Sequence, residues 1–196
     1  MNILILGGTF DPPHLAHTTM VQTILDRRLF DEVWYLPVGH HHSEFFDIKK
    51  MTPIADRLKM LQLVLVPRTR IELYEVETVD KSYTLDTLRA LQILYPAHKF
   101  SFLMGSDQLT GLHLWLKADK TPSFPEALNE FDFYIYPRQG YPLDLPYQQL
   151  KIIDQVEPQS DSSTEIRRRI KNHESITGLV DPQVENYIQQ HQLYAE

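Results

Sequence analysis

The sequence predicts an α/β protein with a doubly wound parallel sheet and flanking helices. Two observations carry this. Short apolar runs at Ile3–Leu6, Val33–Pro37, Lys99–Met104 and Phe131–Tyr136 alternate with stretches of helical periodicity, the pattern of right-handed βαβ units. Glycine-bearing turns, Gly7-Gly8, Gly39 and Gly105-Ser106-Asp107, follow three of those runs. In such sheets ligands bind beyond the carboxyl ends of the strands, so the three turns are expected to meet.

The elements follow in order. Ile3-Leu4-Ile5-Leu6 is a buried strand that delivers the chain to Gly7-Gly8. Residues 14–29 form an amphipathic helix with Met20, Ile24 and Leu25 facing inward. Val33–Pro37 is a second strand of β-branched and aromatic residues. A polar loop with three adjacent histidines runs from Gly39 to Thr52. Thr52-Pro53 supplies a cap and a first-turn proline for a helix through Arg57, Met60, Leu61 and Leu65.

A third strand lies near Arg70–Leu73. A helix starting at Ser82 or Tyr83 ends before Pro96, and Lys99–Met104 is a fourth strand. A proline-punctuated segment without an assigned helix precedes the fifth strand, Phe131–Tyr136. Residues 151–156 add a short last strand, and Ser163–Lys171 and Pro182–His191 are closing helices. This is a Rossmann-like arrangement. With 196 residues and no linker or repeat, residues 1–196 read as one domain, the C-terminal helices 163–196 forming a small helical portion of it.

Composition narrows the function. A net charge of −7 argues against a general nucleic-acid binder, which needs excess lysine and arginine to neutralise a phosphate backbone. The absence of cysteine rules out a disulfide framework, a thiolate metal site and a cysteine nucleophile. With neither a signal-peptide pattern nor a membrane-length apolar run, a cytoplasmic protein is expected. Self-association is left open.

Chemistry concentrates in Gly7-Gly8-Thr9-Phe10-Asp11-Pro12-Pro13-His14-Leu15-Ala16-His17. Glycine lets phosphates approach the backbone, and the first turn of the following helix offers free N–H groups and the positive end of its dipole. His14 and His17, three apart, project from one face of that turn. A phosphate site is the leading reading. Ordinary helix-start histidines, a turn serving only packing, and a histidine pair on a metal remain alternatives; the last lacks a third ligand at recognisable spacing.

The second informative stretch is Ser162-Ser163-Thr164-Glu165-Ile166-Arg167. Hydroxyls and free N–H groups at a helix start, with an arginine one turn on, suit a second anionic group. The same residues also fit a capping box on a solvated helix.

Together the two stretches resemble the signatures of the nucleotidyltransferase superfamily that carries T/HxGH and SSTxxR motifs, with Ala16 where glycine is usual. Within it, Ser82-Tyr83-Thr84-Leu85-Asp86-Thr87-Leu88, Gly105-Ser106-Asp107-Gln108-Leu109 with Trp115, Arg138-Gln139-Gly140-Tyr141-Pro142 and the tail Leu179–Tyr194 resemble the bacterial nicotinate-nucleotide adenylyltransferases. The resemblance implies a transfer of AMP from ATP to nicotinate mononucleotide, releasing pyrophosphate. A sister adenylyltransferase for nicotinamide mononucleotide or phosphopantetheine, and a regulator that binds nucleotide without turnover, are the rivals.

By position, the resemblance implies His14, His17 and Arg167 as catalytic residues. The ATP site would comprise Gly7, Gly8, Thr9, Phe10, His14, His17, Gly105, Asp107, Ser163, Thr164 and Arg167. Tyr83 and Thr84 would present backbone groups to the pyridine substituent, Trp115 would stack on the ring, and His42 would take the place of the family's loop histidine. Mg²⁺ would enter on the ATP phosphates, with no protein metal site. Ser43 departs from the pattern, standing where lysine or arginine is usual, and Lys49, Lys50 or Arg57 are candidates for the missing charge. Protonated imidazoles are expected to do the work, because a triphosphate raises histidine pKa.

Overall fold

The computed structural model describes residues 1–39, 51–78, 82–153 and 162–195. Six parallel strands form one sheet in the order β3-β2-β1-β4-β5-β6. They are β1 (Asn2–Gly8), β2 (Glu32–Pro37), β3 (Thr69–Ile71), β4 (Lys99–Gly105), β5 (Asp132–Tyr136) and β6 (Lys151–Ile152). The helices are α1 (Leu15–Asp26), α2 (Ile54–Leu63), α3 (Tyr74–Glu77), α4 (Thr84–Leu94), α5 (Phe124–Glu130), α6 (Ser163–Lys171) and α7 (Pro182–Gln190). Among the described residues no helix is long and apolar enough to cross a membrane.

Strand periodicity divides the core. Leu4 and Leu6 of β1 join Val33 and Tyr35 of β2 and Leu103 of β4 on one face, under Met20, Ile24, Leu61, Ile166 and Val184. Ile3 and Ile5 join Trp34, Leu36, Phe100 and Phe102 on the other, under Leu85, Leu88, Leu91 and Phe124. Both faces are therefore covered, as near-continuous apolar strands require. The order reverses between β1 and β4, and this is the switch point at which a doubly wound sheet opens a crevice.

Two helices fall where the sequence reading assigned none. The four-residue α3 lies between β3 and α4, and α5 occupies the proline-punctuated stretch. Ser123 before α5 and Pro125 in its first turn are helix-start signals. Residues 106–114, after β4, form a 3₁₀ segment.

Candidate active site

The glycine turn at the end of β1 is built by close approach. A Cβ on Gly7 would lie 2.7 Å from the Phe102 ring, and one on Gly8 would lie 3.2 Å from the Phe10 ring. Phe10 has a φ of 49°, a left-handed conformation uncommon for a bulky residue, and its ring is buried. That ring meets His17 edge-on at 5.2 Å and Tyr35 at 5.5 Å. Phe10 thus supports the histidine from within the core, and only its backbone is placed to line a ligand.

His14 caps α1, and its ring stacks on that of His17 at 3.7 Å. The His14 backbone N–H donates to His17 Nδ1 at 3.3 Å. In the neutral imidazole the His17 proton then sits on Nε2, which makes that atom a donor. His14 Nδ1 is buried without a hydrogen-bond partner among the described residues.

Burial, first, and the neighbouring Arg138 hold the His17 pKa down to about 3. Burial, His17 and Arg138 push His14 well below the ordinary value. Both rings are neutral at pH 7 in the ligand-free protein, so a protonated pair would have to be created by the bound triphosphate.

This burial has a stability consequence. The unfolded chain titrates its histidines near 6.5, so below that pH it binds more protons than the folded one. Stability is then lost as pH falls, down to about 3 for His17. Going from pH 7 to pH 5, His17 accounts for a loss of about 2 kcal/mol, and His14 adds a loss of the same sign. Urea midpoints at the two pH values check this; His17→Gln is expected to flatten the dependence, and an unchanged slope would contradict it.

The two phosphate motifs, at opposite ends of the chain, are in direct contact. Ser163 Oγ donates to the Pro12 carbonyl at 2.8 Å, and Arg167 Nη1 donates to the Asp11 carbonyl at 2.6 Å. Arg167 Nη2 also reaches the Thr164 hydroxyl at 3.3 Å, while Ser162 caps α6 by accepting the Glu165 N–H. The starts of α1 and α6 therefore face a common turn. Asp11 is sealed beneath it, with one carboxylate oxygen accepting the Tyr194 hydroxyl at 2.7 Å and the other the Thr52 N–H at 3.2 Å.

Arg138, following β5, was not among the site residues read from sequence, yet the fold places it here. Its Nε lies 3.6 Å from Asp107, its backbone N–H donates to Ser106 Oγ, and its charge is felt by both histidines. A Cβ on Gly105 would come within 2.2 Å of Asp107 and 2.7 Å of the Arg138 side chain, so glycine is required for this packing. The sequence signals were its place just beyond a strand's carboxyl end and the Arg138-Gln139-Gly140-Tyr141-Pro142 segment that carries part of the resemblance.

Arg57 is the correction in the other direction. It is 1% exposed, and it donates to the carbonyls of Thr9 at 2.8 Å, Val38 at 2.9 Å and Thr52 at 3.1 Å. A guanidinium committed to three backbone oxygens is a clamp and does not replace the charge missing at Ser43. His42, Ser43, Lys49 and Lys50 lie outside the described residues.

The pyridine-side candidates lie in the layer that covers the Ile3 and Ile5 face of the sheet. Tyr83 caps α4 and Thr84 begins it. Trp115 is half-buried and packs edge-on against Phe102 and Phe124, one ring removed from Gly7.

A doubly wound sheet with two helix starts, a histidine pair and two arginines at its switch point defines a nucleotide-handling protein of the nucleotidyl-transfer type. The chain belongs to the cytidylyltransferase-like family, whose model matches residues 5–169. It is 36% identical over 196 residues to the probable nicotinate-nucleotide adenylyltransferase of Geobacillus kaustophilus, covering 97% of this chain and 84% of that one. It is 33% identical over 195 residues to the nicotinate-nucleotide adenylyltransferase of Bacillus subtilis, covering 97% and 96%. Its fold matches Plasmodium falciparum nicotinic acid mononucleotide adenylyltransferase complexed with APC, with a TM-score of 0.77, 21% identity and coverage of 98% and 96%.

Proposed function

We infer that the chain is a nicotinate-nucleotide adenylyltransferase, transferring AMP from ATP to nicotinate mononucleotide with release of pyrophosphate. The observation that carries this reading is the docking of α6 on the glycine turn through Ser163 and Arg167. It joins two anion-binding helix starts at one switch point, as a triphosphate meeting a second phosphate requires.

The attacking 5′-phosphate is already an anion, so no general base is needed. The protein's task is to align two polyanions and offset charge building on the α-phosphate and the leaving pyrophosphate. Ser163, Thr164 and Arg167 hold the triphosphate, with Gly7, Gly8 and the backbone of Thr9 and Phe10 beneath it. His14 and His17 face the reacting phosphates, and Arg138 adds positive charge beside them. Gly105 and Asp107 place the adenosine. Tyr83, Thr84 and Trp115 take the pyridine ring.

Mg²⁺ carried on the ATP phosphates would supply charge neutralisation. Formation of nicotinate adenine dinucleotide from ATP and nicotinate mononucleotide is the test. ATP binding without product would overturn the reading.

A further inference from the structure

Glu75 of α3 is 3% exposed, yet its position alone assigns it no part in phosphate chemistry. A carboxyl is costly to bury, and the cost is offset only where specific partners engage it. Here the partner is the buried Thr87 hydroxyl, which donates to Glu75 Oε1 at 2.8 Å from the first turns of α4. The Ser82 Oγ, buried directly before Tyr83 and Thr84, acts on the same carboxyl but makes no hydrogen bond of ordinary geometry among the described residues. The positive end of the α4 dipole favours an acidic group at this place.

The backbone of the same residue bears on the other side of the site. A Cβ on Gly39 would lie 2.3 Å from the Glu75 carbonyl oxygen and 2.8 Å from Val76 Cα, so the chain leaving β2 is pressed onto α3. That segment is tied in turn to the glycine turn, because the Val38 N–H donates to the Gly8 carbonyl at 3.0 Å and Arg57 bridges Val38 and Thr9. One buried residue therefore spans from the phosphate turn to the start of α4.

We propose that Glu75 is a positioning residue for the mononucleotide. Through its bond with Thr87 it fixes the Ser82-Tyr83-Thr84 edge at a set distance from the Gly8–Gly39 strand ends, and so sets how the pyridine substituent is read. This rests on the adenylyltransferase reading above. The N–H groups at a helix start favour a carboxylate over a neutral amide, so a displaced α4 start weakens nicotinate mononucleotide binding and its preference over the amide, and leaves ATP alone.

Steady-state kinetics of Glu75→Ala, Glu75→Gln and Thr87→Val, with circular dichroism and melting curves alongside, test it. Glu75→Ala is expected to raise KM for nicotinate mononucleotide about tenfold and to shrink the acid-over-amide ratio of kcat/KM. The KM for ATP is expected to stay within about twofold. Glu75→Gln keeps an acceptor for Thr87 and restores KM to within about threefold of wild type. Should the alanine variant fail to fold, Thr87→Val, which removes the same bond from the other end, is expected to raise the mononucleotide KM several-fold.

Equal rises in both KM values, or variants that melt earlier with unchanged KM and unchanged acid preference, would overturn the inference. So would a glutamine variant no better than alanine. Absence of turnover by the wild-type protein would instead overturn the adenylyltransferase reading, and the inference with it.

Discussion

Replacing His17 with alanine is expected to lower kcat by about 10²- to 10³-fold, the usual loss when one donor to a transition-state oxyanion is removed. The dissociation constant for ATP is expected to change by no more than about threefold. The two quantities separate because different groups carry them. On the proposed reading, Ser163, Thr164, Arg167 and the two helix starts would bind the triphosphate in the ground state. His17 would offer its strongest interaction when charge grows on the α-phosphate.

Its protonation state follows from the geometry. Nδ1 accepts the His14 N–H, so a neutral ring donates from Nε2. Protonating a ring held at about 3 would need a rise of roughly four pKa units to matter at pH 7, about 5 kcal/mol from the ligand alone. A neutral donor is the reading that the burial supports. It predicts a kcat that is flat between pH 7 and 9, where a required imidazolium would make kcat fall as pH rises. Equal losses in kcat and ATP affinity in His17→Ala would contradict the role itself.

The second large effect is on stability. Arg57→Ala is expected to destabilise the fold by about 3–5 kcal/mol, because it leaves the carbonyls of Thr9, Val38 and Thr52 without their donor and opens a cavity beneath the glycine turn. For a chain of this length that corresponds to a fall in Tm of roughly 10 °C. Lysine is expected to recover little, since an ammonium cannot reproduce the planar fork that meets three oxygens. Calorimetry of the three proteins checks this. An alanine variant melting within about 2 °C of wild type would show that the clamp contributes nothing.

Much of this fold was legible because its strongest signals are local. Ile3–Leu6 ending at Gly7-Gly8, and Ser162-Ser163-Thr164 capping a helix, are each written in consecutive residues. What was missed depends on contacts between distant segments. Arg138 joins His17 only because β5 lies beside β4 and β4 beside β1, an order that apolar patterning does not encode. Arg57 was a candidate for the charge missing at Ser43, although its spacing to Met60 and Leu61, three and four residues on, put it on the buried face of α2. The four-residue α3 is too short for periodicity to reveal, and α5 was obscured by the very proline that begins it. The burial that lowers the pKa of both histidines follows from packing between distant segments and was not written in the motif.

The most direct test of the central claim is pyrophosphate release from ATP and Mg²⁺ with nicotinate mononucleotide, nicotinamide mononucleotide or phosphopantetheine as separate acceptors. Strong release with the acid mononucleotide, and nicotinate adenine dinucleotide as the co-product, is the predicted result. Preference for either other acceptor would place the chain with a sister transferase. Folded, ATP-binding protein that releases pyrophosphate with none of the three would contradict catalysis altogether.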